Sequence, residues 1–189
     1  MEEVKKNVLC YIDELLNKKN HLLIAIDGRC GSGKTTLVKC LKENLDCNII
    51  QMDHFFLRPF QRTKERMDEP GGNIDYERFL TDVLEPLRQN ISFSYTPFDC
   101  KKQEMSAPVY IDKKSINIIE GAYSCHPKFS AYYDLRIFLD INIKQQAERI
   151  IKRNGETAYE MFREKWIPME ELYFKAFKVK ESCDVFFAL

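Results

Sequence analysis

The chain has 189 residues and balances 29 lysines and arginines against 29 aspartates and glutamates. That length suits one domain with a sizeable core, and the neutral balance excludes a global field that would make nucleic acid or an anionic membrane the main partner. Seven cysteines, an odd number with no C-x-x-C pair, argue against a disulfide framework or a zinc ribbon and fit free thiols in a reducing compartment.

Residues 3–18 set Val4, Val8, Leu9, Ile12, Leu15 and Leu16 among charges, which predicts an amphipathic helix rather than a leader peptide. No apolar run approaches the length of a membrane span, so a soluble, cytoplasmic protein is expected. A strand at 22–27 runs into a glycine-rich turn and then a helix at 34–45. Gly28, Gly33, Lys34 and Thr35 match G-x-x-x-x-G-K-[ST], the phosphate-binding loop. Glycines at 28, 31 and 33 let successive N–H groups turn inward, and the following helix adds its positive dipole end. Gly28, Cys30, Gly31, Ser32, Gly33, Lys34, Thr35 and Thr36 are therefore the candidate nucleotide cradle. Lys34 is placed to reach the β- and γ-phosphates, and the Thr35 hydroxyl to ligate Mg²⁺. Cys30 reads as a small residue the loop tolerates.

Strands at 47–52, 116–120, 135–141 and 184–187 alternate with helices at 75–89, 143–153 and 157–178. Alternation of this kind predicts a mostly parallel sheet covered on both faces, with ligands beyond the carboxyl ends of its strands. Asp53 follows the second strand, where a carboxylate can take the proton of an attacking hydroxyl, help hold Mg²⁺, or simply cap a turn. Glu120 closes the apolar run Ile-Asn-Ile-Ile and resembles the acid that meets Mg²⁺ directly or through water. Arg149 and Arg153, four apart on one helix face, can stabilise charge developing on a γ-phosphoryl group; a solvated basic face is the plainer alternative. The polar stretch 53–75 carries Arg58, Arg62, Lys64 and Arg66 and reads as a binding loop or lid, and 93–112 as a hairpin excursion. Their aromatics, Phe56, Tyr95 and Phe98 among them, and Tyr123 beyond Glu120 can stack on a flat ring or pack a core. His54 and His126, each after a strand, are candidates for touching a polar substrate.

In this order the segments resemble the uridine kinase-like branch of the P-loop kinases, near the phosphoribulokinase/uridine kinase family. Met-Asp-His-Phe-Phe at 52–56 is similar to that family's Asp-x-Phe-Tyr element, and Asn73–Phe79 to its Asn-Phe-Asp-x-Pro-x-x-Phe stretch. Tyr95–Asp99 resembles its Pro-x-Tyr-Asp hairpin, and Ile118–Gly121 its Val-x-Glu-Gly. The resemblance implies an α/β, three-layer P-loop fold in a single domain, 1–189, with a lid near 145–165. It implies ATP and Mg²⁺ as cofactors, Asp53 as general base, Thr35 and Glu120 at the metal, and arginines at 149 and 153 over the phosphates. Phe56, Asp75, Tyr95, Phe98, Asp99 and Tyr123 would then lie near the acceptor, a small molecule, most readily a nucleoside such as uridine or cytidine. Two departures qualify the acceptor. The His and Arg that follow the hairpin in nucleoside-phosphorylating members are replaced by Cys100-Lys101-Lys102-Gln103, and Asn154-Gly155-Glu156 shortens the lid. A pantothenate-like, sugar or nucleoside-monophosphate acceptor, or a nucleotide-binding module without transfer, stays open, as does homo-oligomer formation.

Overall fold

A computed structural model describes residues 1–189. The elements are α1 (Glu2–Leu16), β1 (Leu22–Gly28), α2 (Lys34–Lys42), β2 (Cys47–Gln51), α3 (Lys64–Asp68), α4 (Tyr76–Phe79), α5 (Glu85–Arg88), β3 (Phe93–Tyr95), β4 (Phe98–Asp99), β5 (Glu104–Met105) and β6 (Val109–Ile111). They continue with β7 (Ile116–Glu120), β8 (Leu135–Asp140), α6 (Ile143–Asn154), α7 (Glu156–Met161), α8 (Ile167–Phe177), α9 (Val179–Ser182) and β9 (Val185–Ala188). Five strands form one parallel sheet in the order β2-β7-β1-β8-β9.

The apolar runs explain that sheet. Every residue of β1 is buried, as a strand covered on both faces requires. Side chains alternate across it. Leu22, Ile24 and Ile26 pack with Val8 and Ile12 of α1 and Leu37 and Leu41 of α2. Leu23 and Ala25 face the opposite core with Phe79, Val83, Leu87, Phe129, Tyr173 and Phe174. The register sets Ile24 beside Ile118 and Ile26 beside Glu120, so β7 ends at Glu120 while β1 runs two residues further, to Gly28. Their carboxyl ends, with those of β2 and β8, form one edge.

The helical stretches depart from the sequence expectation at two prolines. The span 75–89 is α4, a wide π turn at Leu80–Leu84 and α5; the span 157–178 is α7, a π turn at Phe162–Trp166 and α8. Pro86 and Pro168 each sit two residues beyond a π turn. A proline lacks an N–H and crowds the carbonyl four residues back, so the preceding turn widens. The polar stretch 53–75 is less irregular than its composition suggests. It holds two short 3₁₀ turns and α3, and Arg66 stitches it together by donating to Gly72 O (2.8 Å), Ile74 O (2.9 Å) and Glu77 (2.8 Å) while lying over the Tyr76 ring. The excursion at 93–112 is two nested antiparallel pairs, β3 with β6 and β4 with β5. No helix is long and apolar enough to cross a membrane.

Candidate active site

The loop between β1 and α2 has the left-handed backbone its glycines allow, with φ of 135°, 77° and 101° at Gly28, Gly31 and Gly33. At Gly28 a side chain is also sterically impossible, because a Cβ would fall 2.0 Å from Leu139 O on the neighbouring strand. The N–H groups of Gly31, Gly33, Lys34, Thr35 and Thr36 find no acceptor within the chain. Unpaired amides at the start of a nine-residue helix form an anion-binding cradle. The Lys34 ammonium folds back to donate to Gly28 O (2.6 Å) and Arg29 O (3.0 Å). Arg149, on α6, donates to Gly31 O at 3.2 Å and so sits over the loop. Ser32 Oγ is buried without a partner.

Two carboxylates face this cradle from neighbouring strand ends. Thr35 Oγ1 donates to Glu120 Oε1 at 3.3 Å. Burial raises the Glu120 pKa, the Asp53 charge adds to the rise, and Lys34 opposes it. Asp53 lies across the short Gly121, whose notional Cβ would stand 3.5 Å from Asp53 Oδ1. Asp53 is exposed at the mouth of the cleft, yet enough protein crowds its carboxyl to raise its pKa against the pull of Lys34, His54 and Arg153. The carboxyl makes no hydrogen bond to the chain, so its oxygens are open to a substrate hydroxyl. Arg153 is exposed on the lid, bonded to Asn154 Oδ1 at 2.7 Å, with its charge felt at Asp53.

On the acceptor side, four of the expected residues are buried. Asp75 is buried and its oxygens are taken: it caps α4 through Arg78 N (3.2 Å) and accepts from Gln61 Nε2 (2.9 Å) and Arg58 Nη2 (3.4 Å). Tyr95, Phe98 and Tyr123 are buried too. Tyr95 uses its hydroxyl on His54 Nδ1 at 2.9 Å, and burial pushes that hydroxyl up to about 12. Tyr123 takes a left-handed backbone, φ 71°, and its ring packs against Tyr173 at 4.9 Å. A large aromatic side chain gains more from burial in the core than from exposure to water, which accounts for the packing of these three. Phe56 is half-buried, packed against the core and paired through its backbone with Ile74. Asp99 is committed to its turn through the N–H groups of Lys101 (2.8 Å) and Lys102 (3.1 Å), which hold its carboxyl below the usual value.

His126 is a core residue. It lies parallel to Tyr173 at 6.0 Å and Tyr76 at 5.7 Å, and its Nδ1 accepts from Lys128 N. Burial lowers its pKa to about 4 from 6.5, so it folds neutral. The stabilisation is present above pH 6.5 and is lost as pH falls toward 4, at about 1.4 kcal/mol per pH unit. Melting curves of wild type and His126→Phe should therefore converge on acidification from pH 6.5 to 5; parallel curves would remove the buried-neutral assignment.

Residues that sequence reasoning passed over complete the site. Asp27, fully buried at the end of β1, accepts from Gly28 N (2.6 Å), Cys125 N (2.9 Å) and Tyr173 Oη (2.9 Å). Its signal was available, an acid closing the apolar run Leu-Leu-Ile-Ala-Ile. Glu170 of α8 accepts from Cys30 N at 3.0 Å, and nothing in its helical surroundings marked it. Cys30 itself is inert as a nucleophile, since burial and Glu170 push its thiol up to about 12. An open cavity of about 670 Å³ lies on the outer face of the insertion between Arg58, Arg66, Arg78 and Asp75, away from the phosphate loop, with its arginines already paired.

Among solved structures, a possible uridine kinase from Bacillus stearothermophilus superposes with a TM-score of 0.70 at 18% identity, over 99% of this chain and 100% of that one. The chain shares the fold of that structure, a parallel sheet with helices on both faces. A candidate fructose transport system kinase from Silicibacter sp. TM1040 matches 89% of this chain and 90% of its own at TM-score 0.66 and 19% identity. YFH7 from Saccharomyces cerevisiae, a candidate P-loop kinase with a circular permutation, matches 100% of this chain and 98% of its own at TM-score 0.67 and 14% identity. No protein-family model and no curated protein sequence matches the chain. Within this shared fold, the loop at 28–35, Asp53 and Glu120 all stand at the carboxyl edge of the sheet.

Proposed function

We propose that this chain is an ATP-dependent kinase that moves the γ-phosphoryl group to a hydroxyl of a small metabolite, with a uridine- or cytidine-like nucleoside as the first acceptor class to test. One observation carries the reading: unpaired amides and Lys34 face two carboxylates across a single cleft. The amides, Lys34 and Arg149 would bind and orient the triphosphate and take up charge during transfer. Asp53, uncommitted and made more basic by its surroundings, would accept the proton of the attacking hydroxyl. Thr35 and Glu120 suit Mg²⁺, which keeps waters and substrate oxygens around it and would neutralise polyphosphate charge.

A second acceptor class is favoured by Arg62. Arg58 and Arg66 are spent on Asp75 and Glu77, whereas Arg62 gives only its Nε, to Leu57 O at 3.0 Å. Its charge reaches the Cys100 thiol, which also feels Asp53. An acceptor bearing a phosphate or carboxylate would meet that free guanidinium. An ADP-release screen with ATP and Mg²⁺ over nucleosides, nucleoside monophosphates, sugars and vitamin-like acids tests both. Turnover by a neutral nucleoside supports the first class, and turnover confined to anionic acceptors supports the second. ATP consumption that no acceptor accelerates would defeat the kinase reading.

A further inference from the structure

Cys30 is gripped from two directions. Its N–H donates to Glu170 Oε2 at 3.0 Å, and its carbonyl accepts from Gln146 Nε2 at 3.0 Å. Gln146 belongs to α6 and Glu170 to α8, and both side chains are buried. Between those helices the chain runs out through α7 and the π turn, the region of the lid. Both roots of the lid therefore fasten to one residue of the phosphate loop.

The peptide unit is planar, so holding one end aims the other. Gln146 holds Cys30 O, and the opposite end of that unit is the Gly31 N–H, the first unpaired amide of the cradle. Glu170 holds Cys30 N–H, and the opposite end of that unit is Arg29 O, which accepts from Lys34 Nζ at 3.0 Å and Ser32 N at 3.1 Å. Neighbours on α8 reinforce the attachment. Arg29 donates to Glu171 Oε2 at 3.3 Å and lies over the Phe174 ring, and Tyr173 bonds Asp27 at 2.9 Å. Burial and the neighbouring Asp27 carboxyl disfavour the Glu170 carboxylate, and the Lys34 ammonium and the Cys30 N–H and thiol are the groups that favour it.

We infer that Glu170 and Gln146 are positioning residues: by orienting the two peptide units around Cys30 they make uptake of polyphosphate by the loop depend on how the lid is seated. The inference rests on the kinase reading. It is tested by titrating ATP into wild type, Glu170→Ala, Glu170→Gln and Gln146→Leu by calorimetry, with melting curves on the same samples. Glu170→Ala and Gln146→Leu should each bind about tenfold more weakly at full stoichiometry, whereas Glu170→Gln, which keeps an acceptor oxygen, should stay within about threefold of wild type. A merely structural role would lower the melting temperature or the binding-competent fraction and leave the affinity of the folded molecules unchanged. Wild-type affinity in folded Glu170→Ala, or loss in Glu170→Gln equal to that in Glu170→Ala, overturns the inference. Should Glu170→Ala not fold, unchanged affinity in Gln146→Leu does so. Absence of ATP binding by wild type removes the kinase reading instead, and this inference with it.

Discussion

Asp53→Asn should lower kcat by about a thousandfold while leaving the ATP dissociation constant within about twofold of wild type. The side chain is nearly isosteric and makes no hydrogen bond to the chain, so its loss removes a proton acceptor without unpicking structure. On the proposed reading, ATP binding would rest on amides and cations on the other side of the cleft, so the two quantities should separate. The surroundings raise the Asp53 pKa, so the acid limb of the wild-type rate should lie above the ordinary carboxylate value of 3.8. Activity then falls as pH drops through that raised value, because only the ionised form can take a proton. Residual turnover at the wild-type level in Asp53→Asn would end the base assignment; loss of ATP binding with it would place Asp53 in the nucleotide site instead.

The edge on which these groups stand was legible because strands buried on both faces write themselves as continuous apolar runs. Ile116–Ile119 stops at Glu120, Ile49–Ile50 stops ahead of Asp53, and the glycines at 28, 31 and 33 mark the one turn that must curl. Each of these signals is local. What the sequence could not convey depends on residues far apart in the chain. Asp75 and Asp53 are both acids after apolar residues, yet one is claimed by Gln61, Arg58 and Arg78 and the other is free. The arginines of the insertion look alike in sequence, but Glu77 and the carbonyls of Gly72 and Ile74 consume Arg66, leaving Arg62 available. Glu170 lies 140 residues from the amide it holds, and a helical period gives no sign of such a contact. Its neighbour Glu171 is half-buried and paired with Arg29, another contact over a long stretch of chain, and only Lys175 is an ordinary exposed charge.

Lys34→Ala should raise the ATP dissociation constant about tenfold and lower kcat about a hundredfold, since it removes the ammonium held at the cradle, whereas the loop's other cation, Arg29, is turned away to Asp140 and Glu171. The second consequence concerns the free protein. Lys34 lowers the pKa of Asp27, Asp53, Glu120 and Glu170, in each of which burial pushes the other way. Without the ammonium all four rise further above their unfolded values of 3.8 for aspartate and 4.5 for glutamate. A carboxyl whose folded pKa is raised favours the fold while it is protonated and penalises it as pH climbs through the folded value. The melting-temperature deficit of Lys34→Ala relative to wild type should therefore be smallest near pH 4.5 and widen toward pH 8. Lys34→Arg, which keeps the charge, should recover the stability at pH 8 but not the rate, because a planar fork cannot replace a compact ammonium bonded to both Gly28 O and Arg29 O. A deficit that stays constant from pH 4.5 to 8 would mean that the four acids do not depend on Lys34, and unchanged ATP affinity would mean that the loop does not bind a polyphosphate through it.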